Sequence, residues 1–187
     1  SKKIIPASLD LVDIAGLVKG ASQGEGLGNA FLSNIREMNA LAHVVRCFDD
    51  ENITHVDGSI DPVRDAEIIN LELIMSDLET ISKRLLKCEK LIKTNDKKNK
   101  IEHALLLKIK NDLDQGKLIN LESFNEEEIT VIKGFQLLSS KPTFYIANIS
   151  DDGSSKDALS KLESFAAQSG NTVIPTSIKI EQEIALL

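Results

Sequence analysis

The chain has 187 residues, of which 42% are hydrophobic and 27% charged, enough to bury the core of one domain with an insertion. Two widely separated cysteines, Cys47 and Cys88, argue against a disulfide framework or a zinc site, and they favour a reducing, cytoplasmic compartment. No apolar run reaches about 18 residues, so the sequence predicts no membrane span.

The first part of the chain alternates strand and helix patterns. Residues 9–14 are short, apolar and rich in strand formers, which predicts a buried strand that ends at Gly16. A loop with four glycines follows at residues 19–29, and a helical pattern occupies residues 31–41. Residues 43–48 predict a second buried strand with a polar loop after it. Strand, crossover helix and strand in this order indicate a parallel βαβ unit.

The middle of the chain has a long helical pattern. Apolar residues spaced alternately three and four apart predict one long helix in a coiled-coil-like contact. This seam consists of Leu71, Ile74, Leu78, Ile81, Leu85, Cys88 and Ile92. Turn formers at residues 94–99 end it, and a second helix with an apolar stripe from Ile101 to Leu113 follows, with Gly116 as its C-cap. The short connection favours antiparallel packing, so we expect a helical hairpin that projects from the βα body.

The last part returns to alternation. Ser123 and Glu126 fit a capping box before a helix that extends through residues 129–138. Residues 144–147 predict a third strand, and residues 172–175 predict a fourth after an intervening helix. The whole pattern predicts an α/β fold with a parallel sheet and a helical insertion between its second and third strands.

Ligands of such sheets bind at the loops that follow the strands. These loops begin here at Asp13, Asp49, Asn148 and Thr176. The first contains an Asp-x-x-Gly motif, Asp13 to Gly16, in which a carboxylate can hold Mg²⁺ and a glycine amide can meet a γ-phosphate. So short a motif also occurs by chance, and the alternative interpretation is a strand that ends in a plain turn.

Longer segments carry a family resemblance. They are residues 9–29 (LDLVDIAGLVKGASQGEGLGN), 34–37 (NIRE), 43–48 (HVVRCF), 52–56 (NITHV) and 141–148 (KPTFYIAN). Together they resemble the YchF/Obg-like ATPase family of the P-loop GTPase fold, over essentially the whole chain. The resemblance implies a nucleotide-binding domain of the α/β P-loop type, interrupted by a helical insertion and followed by a TGS domain.

The phosphate-binding loop of that family is absent from the sequence, because no GxxxxGK(S/T) motif occurs. We therefore expect a central fragment of a Mg²⁺-dependent ATPase or GTPase, inactive alone, with the phosphate loop before Ser1 and the TGS domain after Leu187. The expected divisions are residues 1–60 and 141–187 for the nucleotide-binding domain and 61–140 for the insertion.

The resemblance also implies roles for single residues in hydrolysis. Asp13 would be the Mg²⁺-associated carboxylate and Gly16 the γ-phosphate sensor. Leu17 occupies the position at which Ras-like enzymes carry a water-orienting glutamine, and an aliphatic side chain cannot hydrogen-bond to water. His55 stands where the family has a histidine proposed to activate water, which an imidazole can do near neutral pH. The alternative for His55 is a surface loop histidine.

Four further residues are implied in contacts with the base. Asn148, Ile149 and Asp151 fall where GTPases carry NKxD, and Ile149 replaces the lysine that packs along the base, which favours ATP. Asp151 is the residue type that pairs with guanine, where the family usually has glutamate, so GTP stays open as a ligand. Ser177 stands near a base-contacting loop, and its alternative role is an N-cap or turn serine.

Basic residues concentrate on the predicted hairpin, although the net charge of the chain is −7. Residues 83–117 hold eleven of the 22 basic residues and only five of the 29 acidic ones. The family's association with ribosomes makes the ribosome or RNA the candidate partner of this segment, and the alternative is a solvated helical face. A second functional hypothesis is a non-catalytic ribosome- or RNA-interaction module without nucleotide chemistry, which the missing phosphate loop favours.

Overall fold

The structure, a computed structural model, describes residues 8–13, 35–50, 59–92 and 97–187 of the chain. Regular elements in these ranges alternate between strands and helices and confirm the predicted α/β class. They are β1 (Leu41–Arg46), α1 (Pro62–Ile92), α2 (Lys97–Asp114), α3 (Glu126–Lys133), β2 (Thr143–Asn148), α4 (Lys156–Gln168), β3 (Val173–Thr176) and α5 (Ile178–Ala185). A short 3-10 helix, Leu121–Ser123, precedes α3. Among the described helices, none combines the length and apolar character that crossing a bilayer requires.

The three strands form one parallel sheet, as predicted, and their order in it is β1-β2-β3. The strand boundaries differ from the predicted ones by one or two residues. The register places Arg46 beside Asn148 and Asn148 beside Thr176, so these three residues form a row at the carboxyl edge of the sheet. This row is the place where the predicted ligand-binding loops begin.

The prediction of a buried strand at residues 9–14 is wrong for its described part. Residues 8–13 have no regular structure, and the side chains of Leu9 and Leu11 are 83% and 82% exposed. A strand persists only when its backbone groups find a neighbouring strand. None of the described strands pairs with this segment, so its apolar side chains have no surface to pack on.

Only one face of the sheet is buried by the described residues. Side chains of β1 and β2 pack there against α4 and the first turns of α1. This core consists of Val45, Cys47, Ala66, Tyr145, Ala147, Leu162 and Ala166. On the opposite face Val44 and Ile174 are exposed. The prediction that β1 is a buried strand is therefore wrong for one of its faces, because its side chains alternate between a covered and an open face.

The predicted hairpin is confirmed, and it has a hydrophobic core of its own. The two helices are antiparallel, since Cys88 near the end of α1 contacts Asn99 at the start of α2. Buried residues from α1, α2 and the segment leading to β2 form this core: Ile74, Ile81, Leu85, Cys88, Leu105, Leu106, Ile109, Leu113, Ile119, Phe124, Ile132, Phe135 and Leu137. Leu71, at the start of the predicted seam, is about half exposed, because the 31 residues of α1 extend beyond the 18 of α2.

The ends of the helices show one correct and one wrong prediction. Gly116 has φ 71° and its N–H donates to Leu113 O at 2.9 Å, so it terminates α2 as expected. The capping box before α3 lies two residues later than predicted: Asn125 accepts from Glu128 N and donates to Glu128 Oε2, both at 2.9 Å. The hydroxyl of Ser123 instead donates to Asn120 O within the 3-10 helix. Asparagine caps helices as well as serine does, so the composition did not decide between the two starts.

Candidate functional site

The carboxyl edge of the sheet is organised by Asn148. Its main-chain carbonyl accepts from Cys47 N at 2.9 Å, and its side-chain oxygen accepts from Ile178 N at 3.3 Å. The carboxamide therefore links the end of β2 to the first turn of α5. Ser177 lies between them at the N-cap position of α5, half-buried, and its hydroxyl makes no capping hydrogen bond. Ser177 therefore occupies the N-cap position, as the alternative interpretation expected, but its side chain does not cap the helix by a hydrogen bond.

The loop after β2 has a fixed shape. The N–H of Ser150 donates to the buried Ser155 hydroxyl at 2.9 Å, and the N–H of Ser154 donates to Asp152 Oδ1 at 2.8 Å. The hydrogen bonds from Ser154 lower the pKa of the Asp152 carboxyl. Asp151 lies exposed in this loop, whereas the half-buried Ile149 packs against the core of the sheet. One loop thus holds or adjoins three of the four predicted base-contacting residues: Asn148, Ile149 and Asp151.

Of the predicted phosphate-side residues, the structure describes only Asp13. Asp13 is exposed and irregular. Gly16, Leu17 and His55 lie outside the described residues. Among the described residues, no three histidine, cysteine, aspartate or glutamate side chains are grouped to hold a metal ion. Mg²⁺ commonly takes one or two protein carboxylates and completes its shell with phosphate oxygens and water, so the single carboxylate of Asp13 fits this ion by donor chemistry.

His43 in β1 has a structural environment. Its ring centroid lies 5.4 Å from that of the buried Tyr145. Burial lowers the pKa of His43 to about 4, against a smaller opposing effect of the Asp65 carboxylate. The imidazole is therefore uncharged near neutral pH and is part of the packing around Tyr145.

The basic residues of the hairpin are partly paired within the chain. Lys83 pairs with Glu79, and Lys110 pairs with Asp114 at 2.6 Å. Other basic side chains bind carbonyls and aromatic rings: Arg84 lies over Phe135 and donates to Gly134 O, and Lys108 lies over Phe124 and donates to Ser123 O. Exposed pairs of this kind are weak and exchange readily with other anions.

Two lysines on the hairpin differ from these. Lys87 and Lys90 are exposed, and within the part of the chain that the structure describes neither has an ion pair. A cleft of about 340 Å³ opens beside Lys87 between α1 and α2. It is lined by Arg84, Lys87, Cys88, Asn99 and Glu102, and none of these residues belongs to the carboxyl edge.

A polar cluster, which the sequence analysis did not predict, joins the segment before β1 to α1. The carboxylate of Asp77 is fully buried and accepts from Leu138 N at 3.0 Å, Ser139 N at 2.8 Å and Ser139 Oγ at 2.6 Å. Burial raises the pKa of Asp77, although the hydrogen bonds and Arg36 oppose that effect. An acidic residue between apolar seam positions of a helix was the only signal, and most such residues face solvent.

Arg36 completes this cluster from the other side. Its guanidinium donates to Gln136 O at 2.9 Å, to Ser76 Oγ at 3.0 Å and to Thr80 Oγ1 at 3.1 Å. It lies 3.7 Å from Asp77 Oδ1. One side chain thus contacts α1 and the segment that leads to β2 at the same time.

Comparisons with known proteins identify similar proteins. Residues 2–77 match the family model described as 50S ribosome-binding GTPase. The ribosome-binding ATPase YchF of Bacillus subtilis is 46% identical over 190 residues, which cover 100% of this chain and 52% of that protein. Over its whole length the chain is similar to the YchF proteins. The YchF protein of Haemophilus influenzae is 43% identical and covers the same shares.

A solved structure agrees with this similarity. The YchF GTPase of Schizosaccharomyces pombe superposes with a TM-score of 0.77 and 35% identity, over 93% of this chain and 49% of that one. These findings confirm the predicted resemblance and the GTPase-type fold. The chain spans about half the length of the YchF relatives it matches.

Proposed function

We propose that this chain is the switch- and hairpin-bearing part of a Mg²⁺-dependent nucleoside triphosphatase that acts at the ribosome in the cytoplasm. The observation that supports this most is the carboxyl edge of the parallel sheet, where Asn148 joins β2 to the start of α5 in a chain similar throughout to ribosome-binding ATPases. In such sheets the carboxyl edge is where nucleotides bind.

The proposed hydrolytic roles follow from side-chain chemistry. Asp13 holds Mg²⁺, directly or through water, and the ion when bound neutralises charge on the phosphates. The backbone of Gly16 meets the γ-phosphate. Leu17 cannot hydrogen-bond to water, so His55 is proposed to orient the attacking water and accept its proton.

The role of His55 is tested in the intact protein, with the phosphate loop present. We expect His55→Ala to lower kcat roughly 100-fold, the lower range for a general base, and to leave the Kd of ATP unchanged. The matched control is His103→Ala, a histidine on the hairpin helix α2. Unchanged turnover in His55→Ala would remove His55 from the mechanism.

The proposed base site consists of Asn148, Ile149, Asp151 and Ser177. We propose ATP as the preferred ligand, because Ile149 packs into the core and offers no lysine stem to lie along a base. GTP is proposed as a second ligand, because the exposed Asp151 can accept hydrogen bonds from guanine. Relatives carry both names: the bacterial proteins are called ATPases and the Schizosaccharomyces pombe protein a GTPase.

Calorimetric titration of ATP and GTP, each with Mg²⁺, separates these alternatives. If Asp151 pairs with guanine, Asp151→Ala weakens GTP binding about tenfold, the worth of about 1.4 kcal/mol, and spares ATP. The control is Asp152→Ala in the same loop, whose carboxylate accepts from Ser154. Equal losses for the two nucleotides in Asp151→Ala would mean that Asp151 does not read the base.

The hairpin is proposed as the ribosome- or RNA-binding part, and its separate hydrophobic core supports this. Lys87 and Lys90 are exposed cations available to phosphates. We expect Lys87→Glu with Lys90→Glu to weaken ribosome binding and to reduce the slope of log K against log salt by roughly 1 to 2. The control is Lys161→Glu on α4, which is exposed but paired with Asp157. Binding that does not depend on salt would contradict this electrostatic account.

The division of the chain into residues 1–60, 61–140 and 141–187 stays a proposal. The insertion is continuous with the sheet, because Ala66 in α1 packs into the sheet core and Ile74 packs into the hairpin core. If the chain acted only as a non-catalytic module, the intact protein would bind ribosomes without binding nucleotide, and the calorimetric titration would show this directly.

A further inference from the structure

We propose that Arg36 couples the nucleotide state of the sheet to the position of the hairpin. This inference rests on the proposed function, because it requires a nucleotide site at the carboxyl edge and a ribosome-binding hairpin. Its basis is that one guanidinium joins three parts of the molecule: the segment before β1, helix α1 and the segment that leads to β2.

The segment that carries Arg36 is held from several directions. Lys141 Nζ donates to the carbonyls of Arg36 and Met38, and Leu41 N donates to Pro142 O at 2.9 Å. On the apolar side, Ile35 packs with Leu73 of α1 and with Leu138, and Leu41 packs against them. A shift of this segment therefore either moves α1 with it or breaks the contacts between them.

Helix α1 carries such a shift directly into the hairpin. Ser76 and Thr80, which accept from Arg36, lie beside the hairpin core residue Ile81 in the same continuous helix. From Asp77 the helix extends about 22 Å further to Ile92, at about 1.5 Å per residue. A small rotation of α1 at Arg36 is therefore a larger displacement at the end of the hairpin.

The segment that carries Arg36 also leads to the proposed nucleotide site at the carboxyl edge of the sheet. Residues 35–38 continue directly into β1, whose last residue, Arg46, lies beside Asn148 at the carboxyl edge. In the other direction the chain runs back toward Asp13 and Gly16, the proposed phosphate-side residues. Arg36 thus lies on the stretch of chain between the proposed phosphate sensor and the strand beside the proposed base site.

The contacts of Arg36 can be exchanged without breaking the buried cluster. Asp77 accepts three hydrogen bonds from Leu138 and Ser139, none of which involves Arg36. The guanidinium is 3.7 Å from Asp77, its side chain is partly exposed, and its other acceptors are hydroxyls and a carbonyl that water can satisfy. An interaction that can be made and released at modest cost is what a two-state coupling requires.

Gln136 adds a positional constraint to this arrangement. It is the only residue other than glycine with positive φ among those the structure describes, at 54°, and its carbonyl accepts from Arg36. A left-handed conformation at a non-glycine residue persists when its surroundings enforce it. Release of Arg36 removes one of the contacts that fix the chain there, between α3 and β2.

The test compares ribosome affinity in two nucleotide states of the intact protein. Purified ribosomes are titrated in the presence of Mg²⁺ with ADP and with a non-hydrolysable ATP analogue. For the unsubstituted protein we expect the two affinities to differ by roughly 5- to 150-fold, the usual range of coupling between sites. For Arg36→Gln we expect a ratio within about twofold of one, with unchanged nucleotide Kd. The matched control, Arg64→Gln in the first turn of α1, keeps the full ratio.

A second variant covers the case in which Arg36→Gln does not fold. Ser76→Ala combined with Thr80→Ala removes two acceptors of Arg36 on α1 and leaves the charge and Asp77 in place. We expect this variant to reduce the ratio at least threefold, a loss of coupling within the range usual between sites. Hydrogen exchange of residues 81–92 then follows the nucleotide in the unsubstituted protein and not in the variant.

The outcomes separate this inference from the proposed function. A full ratio in Arg36→Gln, or in the double variant, overturns the role of Arg36. If the unsubstituted protein binds nucleotide and ribosomes but with a ratio of one, the coupling is refuted while the proposed function stands. If the unsubstituted protein fails to bind nucleotide, or fails to bind ribosomes, the proposed function fails and this inference fails with it.

Discussion

Replacement of Asp77 by alanine should destabilise the protein by about 3 kcal/mol. The substitution leaves the backbone N–H groups of Leu138 and Ser139 buried without an acceptor, and each such group costs about 1 to 3 kcal/mol. The Ser139 hydroxyl can rotate to another acceptor, so it adds less. Removing a carboxylate whose pKa burial has raised returns part of the loss, which gives the net figure.

Urea unfolding followed by circular dichroism measures this difference. We expect Asp77→Ala to lower the midpoint without changing the slope m, and Asp77→Asn, which keeps one acceptor oxygen, to lose about half as much. The control Asp114→Ala removes an exposed carboxylate that pairs with Lys110 and should cost less than about 0.5 kcal/mol. If Asp77→Ala cost no more than Asp114→Ala, the buried hydrogen bonds of Asp77 would contribute no more to stability than an exposed ion pair.

Three further outcomes are expected. The pKa of His43 is about 4 in the folded state and 6.5 in the unfolded state, so the unfolded state binds more protons between these two values. The free energy of unfolding should therefore fall as the pH falls through this window, by on the order of 3 kcal/mol. His43→Gln should flatten that slope in urea titrations at several pH values, and an unchanged slope would exclude His43 as its source. Gly116→Ala should cost about 1 kcal/mol in thermal unfolding through its φ of 71° alone, since a Cβ there meets nothing within 4 Å. Asn125→Ala should cost about 1 kcal/mol and Ser123→Ala less, the reverse of what the predicted capping box requires.

Features that follow from the spacing of apolar residues within a single strand or helix were predictable from the sequence. The alternation of strands and helices gave the parallel sheet, because each strand carries enough apolar residues to be recognised alone. The heptad spacing gave the hairpin for the same reason, with Ile81 and Leu85 fully in its core. Leu71 fits the spacing as well as they do and is still exposed, since spacing does not report where the partner helix ends.

Features that depend on a partner distant in the chain were not predictable. Residues 9–14 have the composition of a strand, but a strand also needs a neighbour. The buried carboxylate of Asp77 finds its donors at Leu138 and Ser139, about sixty residues later, and nothing local to Asp77 indicates them. At the candidate site, family resemblance supplied residue types, while the bond from Ile178 N to Asn148 Oδ1 became visible only with the fold.

The continuity of α1 has a consequence for the whole molecule. A helix of 31 residues has Ala66 in the sheet core, Leu73 against the segment before β1, and Ile81 in the hairpin core. The sheet therefore sets the direction of the first half of the helix, and the hairpin follows it without an intervening flexible connection. Replacement of Ser82 and the exposed Leu86 by glycine would weaken the helix after Thr80 while leaving the side chains of both cores unchanged. It should preserve nucleotide binding and ribosome binding separately and reduce the dependence of one on the other, whereas full dependence would show that the two sites communicate by a route other than α1.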